Sequence, residues 1–159
     1  MNVRPRTREH TYRASLEWTG AAHGATTSYA AYSREYRIDF LGKPPLSGSA
    51  DPAFRGDPAL LNPEEMLVAA LSSCHMLSYL ALCALAGIAV ASYTDDAVGT
   101  MEETGGVGKF TRTVLKPRVT ISAGDLEKAK ALHEEAHHQC FIAASVNFPV
   151  DVEPTVHSV

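Results

Sequence analysis

The longest apolar run in the chain lies between Asn62 and Ile88, NPEEMLVAALSSCHMLSYLALCALAGI, and from Met66 onward it carries no Asp, Glu, Lys or Arg until Asp95. The run predicts a helix. Asn62 suits the cap, Pro63 the first helical position, and Glu64 and Glu65 complement the positive helix end. Gly87 supplies a stop signal. A helix that is apolar nearly all round belongs inside a membrane or inside a core built around it. Ser72, Ser73, His75, Ser78 and Tyr79 dilute the run, and no Lys or Arg clusters at either end. A core helix is therefore expected rather than a membrane span.

Around this helix the pattern has period two. Residues 10–18 (HTYRASLEW), about 26–32 (TTSYAAY) and about 35–41 alternate and are rich in aromatic and β-prone residues, so they predict a small antiparallel meander. Residues 42–61 hold four prolines and three glycines and read as an irregular, functional or mobile loop whose only cations are Lys43 and Arg55. Strands are expected over about 89–103 and 108–121, with Gly105-Gly106 as a hairpin signal. A second helix begins at Asp125, carries Leu126, Ala129, Leu132 and Ala136 on one face, and ends near Cys140; a last strand covers about 147–157. Strands gathered in blocks around two helices indicate an α+β fold, with antiparallel sheets around two central helices. One domain is expected over residues 1–159, with a flexible lead over 1–9.

Composition narrows the function. A hydrophobic content of 45% and a charged content of 20% describe a globular chain. A net charge of −4 and a pI near 5.9 argue against nucleic acid or an anionic membrane as partner. The N-terminal segment is Arg-rich without the apolar run of a signal peptide, so a cytoplasmic location is expected. Three cysteines at irregular spacing do not form a secreted disulfide framework.

The candidate chemistry lies in those thiols. Cys74 sits mid-helix between two serines and His75, a polar patch that packing alone does not explain. Cys83, nine residues on, projects from the opposite face about 13 Å along the axis and reads as a small buried hydrophobe. Cys140, at the end of the second helix, is the remaining thiol. To act as a nucleophile near neutral pH, Cys74 needs a neighbouring cation, because a mid-helix position gives little help from the dipole. Arg55 is the best candidate, with Arg34 and Arg37 behind it, and Glu64 or Glu65 is the carboxylate an arginine in an apolar site requires. The plain reading stands beside this one: Arg55 solvated in its loop, the glutamates complementing the dipole, His75 a satisfied core histidine.

The segment NPEEMLVAALSSC, with Glu64 and Cys74 ten residues apart, resembles the Asn-Pro-Glu…Cys motif of the OsmC/Ohr family of thiol-dependent peroxidases. The order of elements is similar as well, from about residue 10 to 157: strands, Arg-bearing loop, Cys helix, hairpin, and a second helix ending in Cys. The resemblance implies an intertwined homodimer that reduces organic hydroperoxides without a cofactor or metal. Cys74 would be the peroxidatic cysteine and Cys140 the resolving one, linked through a sulfenic acid and a Cys74–Cys140 disulfide that a dithiol reductant reopens. Glu64 matches the acidic partner of the activating arginine, and Arg55 falls about where that arginine lies. Two departures mark a divergent branch: Phe141 rather than Pro follows Cys140, and His75 replaces an apolar or aromatic residue.

Two other classes remain open. His133-Glu134-Glu135-Ala136-His137 fits H-E-x-x-H, which on a helix sets two imidazoles on one face for zinc, with Glu153 or His157 as a third ligand. The plain alternative is a solvent-facing histidine cluster. A non-enzymatic OsmC-like protein that binds an apolar ligand or serves under stress predicts that Cys74 and Cys140 never join.

Overall fold

The computed structural model describes residues 7–159, so most of the expected flexible lead lies outside the described residues. The chain divides into two compact units, with the boundary in sequence between Glu64 and Glu65.

In the first unit, β1 (Ser15–Glu17), β2 (Tyr36–Asp39) and β3 (Leu46–Gly48) make an antiparallel sheet in that order, with Leu16 opposite Ile38 and Ile38 opposite Leu46. The meander is present, but the strand expected over 26–32 is absent and the expected third strand, 35–41, is its middle one. Residues 26–32 hold local turns, with Thr27 N–H donating to the Ala25 carbonyl and Ala31 N–H to Ser28. The Arg34 guanidinium, stacked on Tyr32, also binds the Tyr29 and Tyr32 carbonyls, so this backbone is spent locally rather than on a ladder. The Pro/Gly segment supplies β3 instead. Gly48 is needed there, because a Cβ at that position would lie 2.4 Å from the Tyr36 ring.

In the second unit, α1 (Pro63–Leu85, which begins two residues before the division) buries Leu71, His75, Tyr79 and Cys83, one residue in every turn. It stops before Gly87, whose φ of 73° suits glycine. Six strands follow: β4 (Ala89–Asp95), β5 (Val98–Thr104), β6 (Val107–Leu115), β7 (Pro117–Ala123), β8 (Val150–Val152) and β9 (Thr155–Ser158). They form two three-stranded sheets, β4-β7-β9 and β5-β6-β8. Each long strand expected from the sequence is thus two strands, divided at Asp96-Ala97 and at Lys116, where the chain passes from one sheet to the other. Pro154, which has no N–H to donate, divides the last one. β8 and β9 run parallel to their neighbours, so both sheets are mixed rather than purely antiparallel.

α2 (Leu126–Gln139) starts at Asp125, whose carboxylate accepts the Lys128 N–H at 2.9 Å. Its Ala129, Leu132 and Ala136 close the core with Tyr79, Cys83, Ile88, Val119, Ile121 and Val156. The α+β class and two-helix plan hold. α1 is long and apolar enough to cross a membrane by length and composition, and only 22% of its most apolar window is buried within the chain. Leu77 and Leu85 stand exposed on its outer side.

Candidate active site

Within the second unit the structure brings two of the three thiols together. Cys74 projects half-buried from the middle of α1, while Cys140 caps the C-terminus of α2 with 1% of its surface exposed. The two side chains are neighbours, and both thiols are free. Cys140 Sγ accepts the Ala143 N–H at 3.4 Å. Burial pushes the Cys140 thiol up to about 11, against the pull of the Ala143 and Ile142 N–H groups, and the neighbouring Cys74 adds to the rise. Cys83 is fully buried in the core beside Tyr79, as its spacing from Cys74 predicts.

Cys74 forms part of the wall of a groove of about 690 Å³ lined mostly by apolar side chains, among them Leu77, Ala81, Leu85, Phe141 and Ile142. Thiol, thiol partner and apolar wall therefore share one place. Phe141 and Ile142 carry no sequence signal for this role beyond their position next to Cys140.

Arg55 and Glu64 belong to the first unit. The loop before α1 is wound tightly: Asp51 accepts the Ala53 N–H at 2.7 Å and the Asn62 side-chain N–H at 3.4 Å. Arg55 then adopts a φ of 67°, the one non-glycine residue with positive φ among the described residues. Gly56 follows so close to Ala50 that a Cβ would lie 1.5 Å from its carbonyl oxygen. The Arg55 side chain is exposed and makes no ion pair with Glu64. Arg34 is held by tyrosine rings and carbonyls and Arg37 by Asp39, so both weaker candidates are engaged. Glu64 Oε2 and the Tyr36 hydroxyl are buried without hydrogen-bond partners. Burial and then the nearby Glu64 carboxylate raise the Tyr36 phenol. Tyr36 reads in the sequence only as a strand residue; its nearness to Glu64 is a tertiary fact.

The histidines divide. His75 and His133 are buried with Nε2 of the first 3.1 Å from Nδ1 of the second, and the His133 ring stacks on Tyr79 with centroids 3.8 Å apart. Burial lowers both, His75 to about 4 with the neighbouring His137 adding to the fall, and His133 to about 3 with His75 adding to it. A solvent-facing cluster is therefore wrong for His133, though His138 is exposed and lies 3.5 Å from Glu134. His75 is a core histidine satisfied at one nitrogen, since its Nδ1 has no partner. With His133 Nδ1 taken by His75, the two imidazoles of the H-E-x-x-H segment are not equivalent. Among the described residues no group of three or more His, Cys, Asp or Glu side chains is arranged to hold a metal ion.

The pattern of the family described as OsmC-like protein matches residues 56–155, from the residue after Arg55 through α1, α2 and the strands up to the first residue of β9. The chain belongs to the OsmC-like family. An OsmC-like protein of unknown function from Vibrio cholerae is 36% identical, with a TM-score of 0.83 over 92% of this chain and 100% of that one. The OsmC-like fold is shared more widely. An organic hydroperoxide resistance protein OsmC from Legionella pneumophila superposes at TM-score 0.66 with 18% identity, over 96% of this chain and 100% of its own. An organic hydroperoxide resistance protein from Elizabethkingia anophelis gives 0.67 and 19%, over 97% and 100%. No curated protein matches.

Proposed function

We propose that this OsmC-like protein is a homodimeric, thiol-dependent peroxidase that reduces organic hydroperoxides. The observation that carries the reading is that Cys140 lies next to Cys74, whose thiol lines an apolar groove. A groove of this kind favours an alkyl or aryl hydroperoxide over hydrogen peroxide, because desolvating an apolar substituent there is favourable.

The Cys74 thiolate attacks the nearer peroxide oxygen and breaks the O–O bond, leaving an alcohol and a Cys74 sulfenic acid. The Cys140 sulfur displaces the sulfenic oxygen as water and forms the Cys74–Cys140 disulfide. A dithiol restores the pair by exchange and becomes the oxidised disulfide itself. Arg55 activates Cys74 and stabilises charge on the departing oxygen, and Glu64 orients the guanidinium. Glu64 lies about 15 Å from Cys74 along the continuous helix. One arginine that serves both is therefore easier to arrange when Glu64 comes from a second copy, which is also what the exposed Leu77 and Leu85 of α1 favour. In this reading both compact units act together as one OsmC-like domain over the chain, in the cytoplasm.

Treatment of the reduced, metal-free protein with one equivalent of cumene hydroperoxide tests the proposal. Rapid loss of two thiols per chain and a Cys74–Cys140 link in the peptide map are expected. Persistence of all three thiols would refute it and leave the groove as a binding site for an apolar ligand.

A further inference from the structure

The two sulfurs of the site differ in access. Cys74 lines the groove, but Cys140 does not, although its neighbours Gln139, Phe141 and Ile142 do. Its side chain turns inward from the end of α2, with 1% of its surface exposed. There Sγ faces the backbone N–H groups of Ile142 and Ala143 as well as Cys74.

Exchange proceeds by attack of a thiolate on one sulfur of a disulfide, with the other sulfur departing as a thiolate. Which sulfur is attacked depends on access and on which leaving thiolate is better stabilised. Here the two factors oppose each other. Burial makes Cys140 the harder thiolate to form, which on its own favours attack at Cys140 and departure of Cys74. Yet an incoming thiolate meets Cys74 from the groove and has no exposed path to Cys140. The two N–H groups at Cys140 reduce the cost of the only accessible direction.

We infer that the reductant attacks Cys74 and that Cys140 is the leaving sulfur, received by the Ile142 and Ala143 N–H groups. The inference rests on the Cys74–Cys140 disulfide of the proposed function. In the first step the reductant's thiol gives its proton to solvent, its sulfur bonds to Cys74 Sγ, and the Cys74–Cys140 bond breaks with its electron pair on Cys140. Cys140 then takes a proton from solvent. In the second step the other thiol of the reductant attacks the reductant's own sulfur in the mixed disulfide. Cys74 leaves as a thiolate and the reductant as an intramolecular disulfide. Cys140 is thus a leaving group during reduction, and Cys74 alone carries the covalent adduct.

The disulfide can be made without peroxide, which separates this inference from the peroxidase reading. The wild-type protein is oxidised with diamide and mixed with 2-mercaptoethanol, a monothiol that halts the reaction at the mixed disulfide. The sample is quenched in acid within the first turnover and mapped by mass spectrometry. The adduct is expected on Cys74 with Cys140 free. An adduct mainly on Cys140, or no Cys74–Cys140 disulfide after diamide, overturns the inference. Failure of the peroxidase reading appears separately, as a disulfide formed by diamide but not by cumene hydroperoxide. In the reduced state, Cys74 of the Cys140→Ser protein should react with an aromatic disulfide at least about tenfold faster than Cys140 of the Cys74→Ser protein. Equal rates count against it.

Discussion

Arg55 occupies a backbone conformation that costs a non-glycine residue roughly 1–2 kcal/mol. Strain of this kind is the expected companion of function. Replacing Arg55 with Gly relieves the strain but loosens the unfolded chain, so stability should stay level or rise by up to about 1 kcal/mol. Peroxide turnover should collapse in the same protein. Thermal melting and a peroxide-consumption assay on one preparation check both halves, and a stability loss without an activity loss would remove Arg55 from the mechanism. The buried imidazoles give a pH dependence with a definite sign. His75 and His133 are pushed below the ordinary histidine value of 6.5, to about 4 and about 3. From there up to 6.5 the unfolded chain binds protons that the folded one refuses, so stability rises with pH through this window and is fully present above it. The melting temperature should fall as pH is lowered from about 7 towards 4, and His133→Gln should flatten that slope if the pair causes it. The nearness of Cys74 and Cys140 could be anticipated because thiols are rare and stand out in an apolar segment, whereas the roles of Arg55 and Glu64 come from the family resemblance and stay part of the proposal. Tyr36 had no such signal, and His133 stood out only as part of H-E-x-x-H, not for the buried place it takes. What distinguishes them is burial beside Glu64 and beside Tyr79 and His75, and neither neighbour is close in sequence.

Elements differ in how much of their identity is local. α1 and α2 were readable because their start and stop residues and apolar spacing lie within the segment; Asp125, where the second helix is expected to begin, proves to cap it, and Asp125→Ala should cost about 1 kcal/mol in a denaturant titration. The strands were readable in type but less so in extent. A run of β-prone residues does not record where the chain changes sheets, and the breaks at Asp96-Ala97 and Lys116 are set by which neighbour each half finds. The same reasoning explains the exchange of residues 26–32 for 46–48. Tyr29 and Tyr32 look like strand residues, but their carbonyls are held by Arg34, whereas the glycine that suggests a loop at position 48 makes room for the Tyr36 ring across the ladder. Gly48→Ala should therefore destabilise the sheet by about 1–3 kcal/mol, the usual cost of forcing extra volume into a packed contact. Chemical denaturation measures this directly.

At the scale of the whole molecule, the apolar character of α1 exceeds what one chain buries. Leu71, His75, Tyr79 and Cys83 face inward, while Leu77 and Leu85 are 64% and 86% exposed, with Phe141 at 80%. Exposed apolar patches receive a protein partner, a membrane or a ligand, and the proposed homodimer commits to the first. Sedimentation should accordingly find twice the 17.1 kDa chain mass, with Leu85→Glu shifting the species towards monomer and lowering peroxidase activity in parallel. A second consequence follows from the parallel strands. The hairpin β5–β6 joins near neighbours in sequence and can form early, but β6 and β7 acquire their other partners only when residues 150–158 arrive after all of α2. Until then the long strands β6 and β7 lie at a sheet edge, the kind of template on which strands from different molecules join, and the short β8 and β9 then take that edge position. Refolding yield should thus fall with concentration, because the last two strands, by presenting only short edges, guard the longer strands behind them against aggregation.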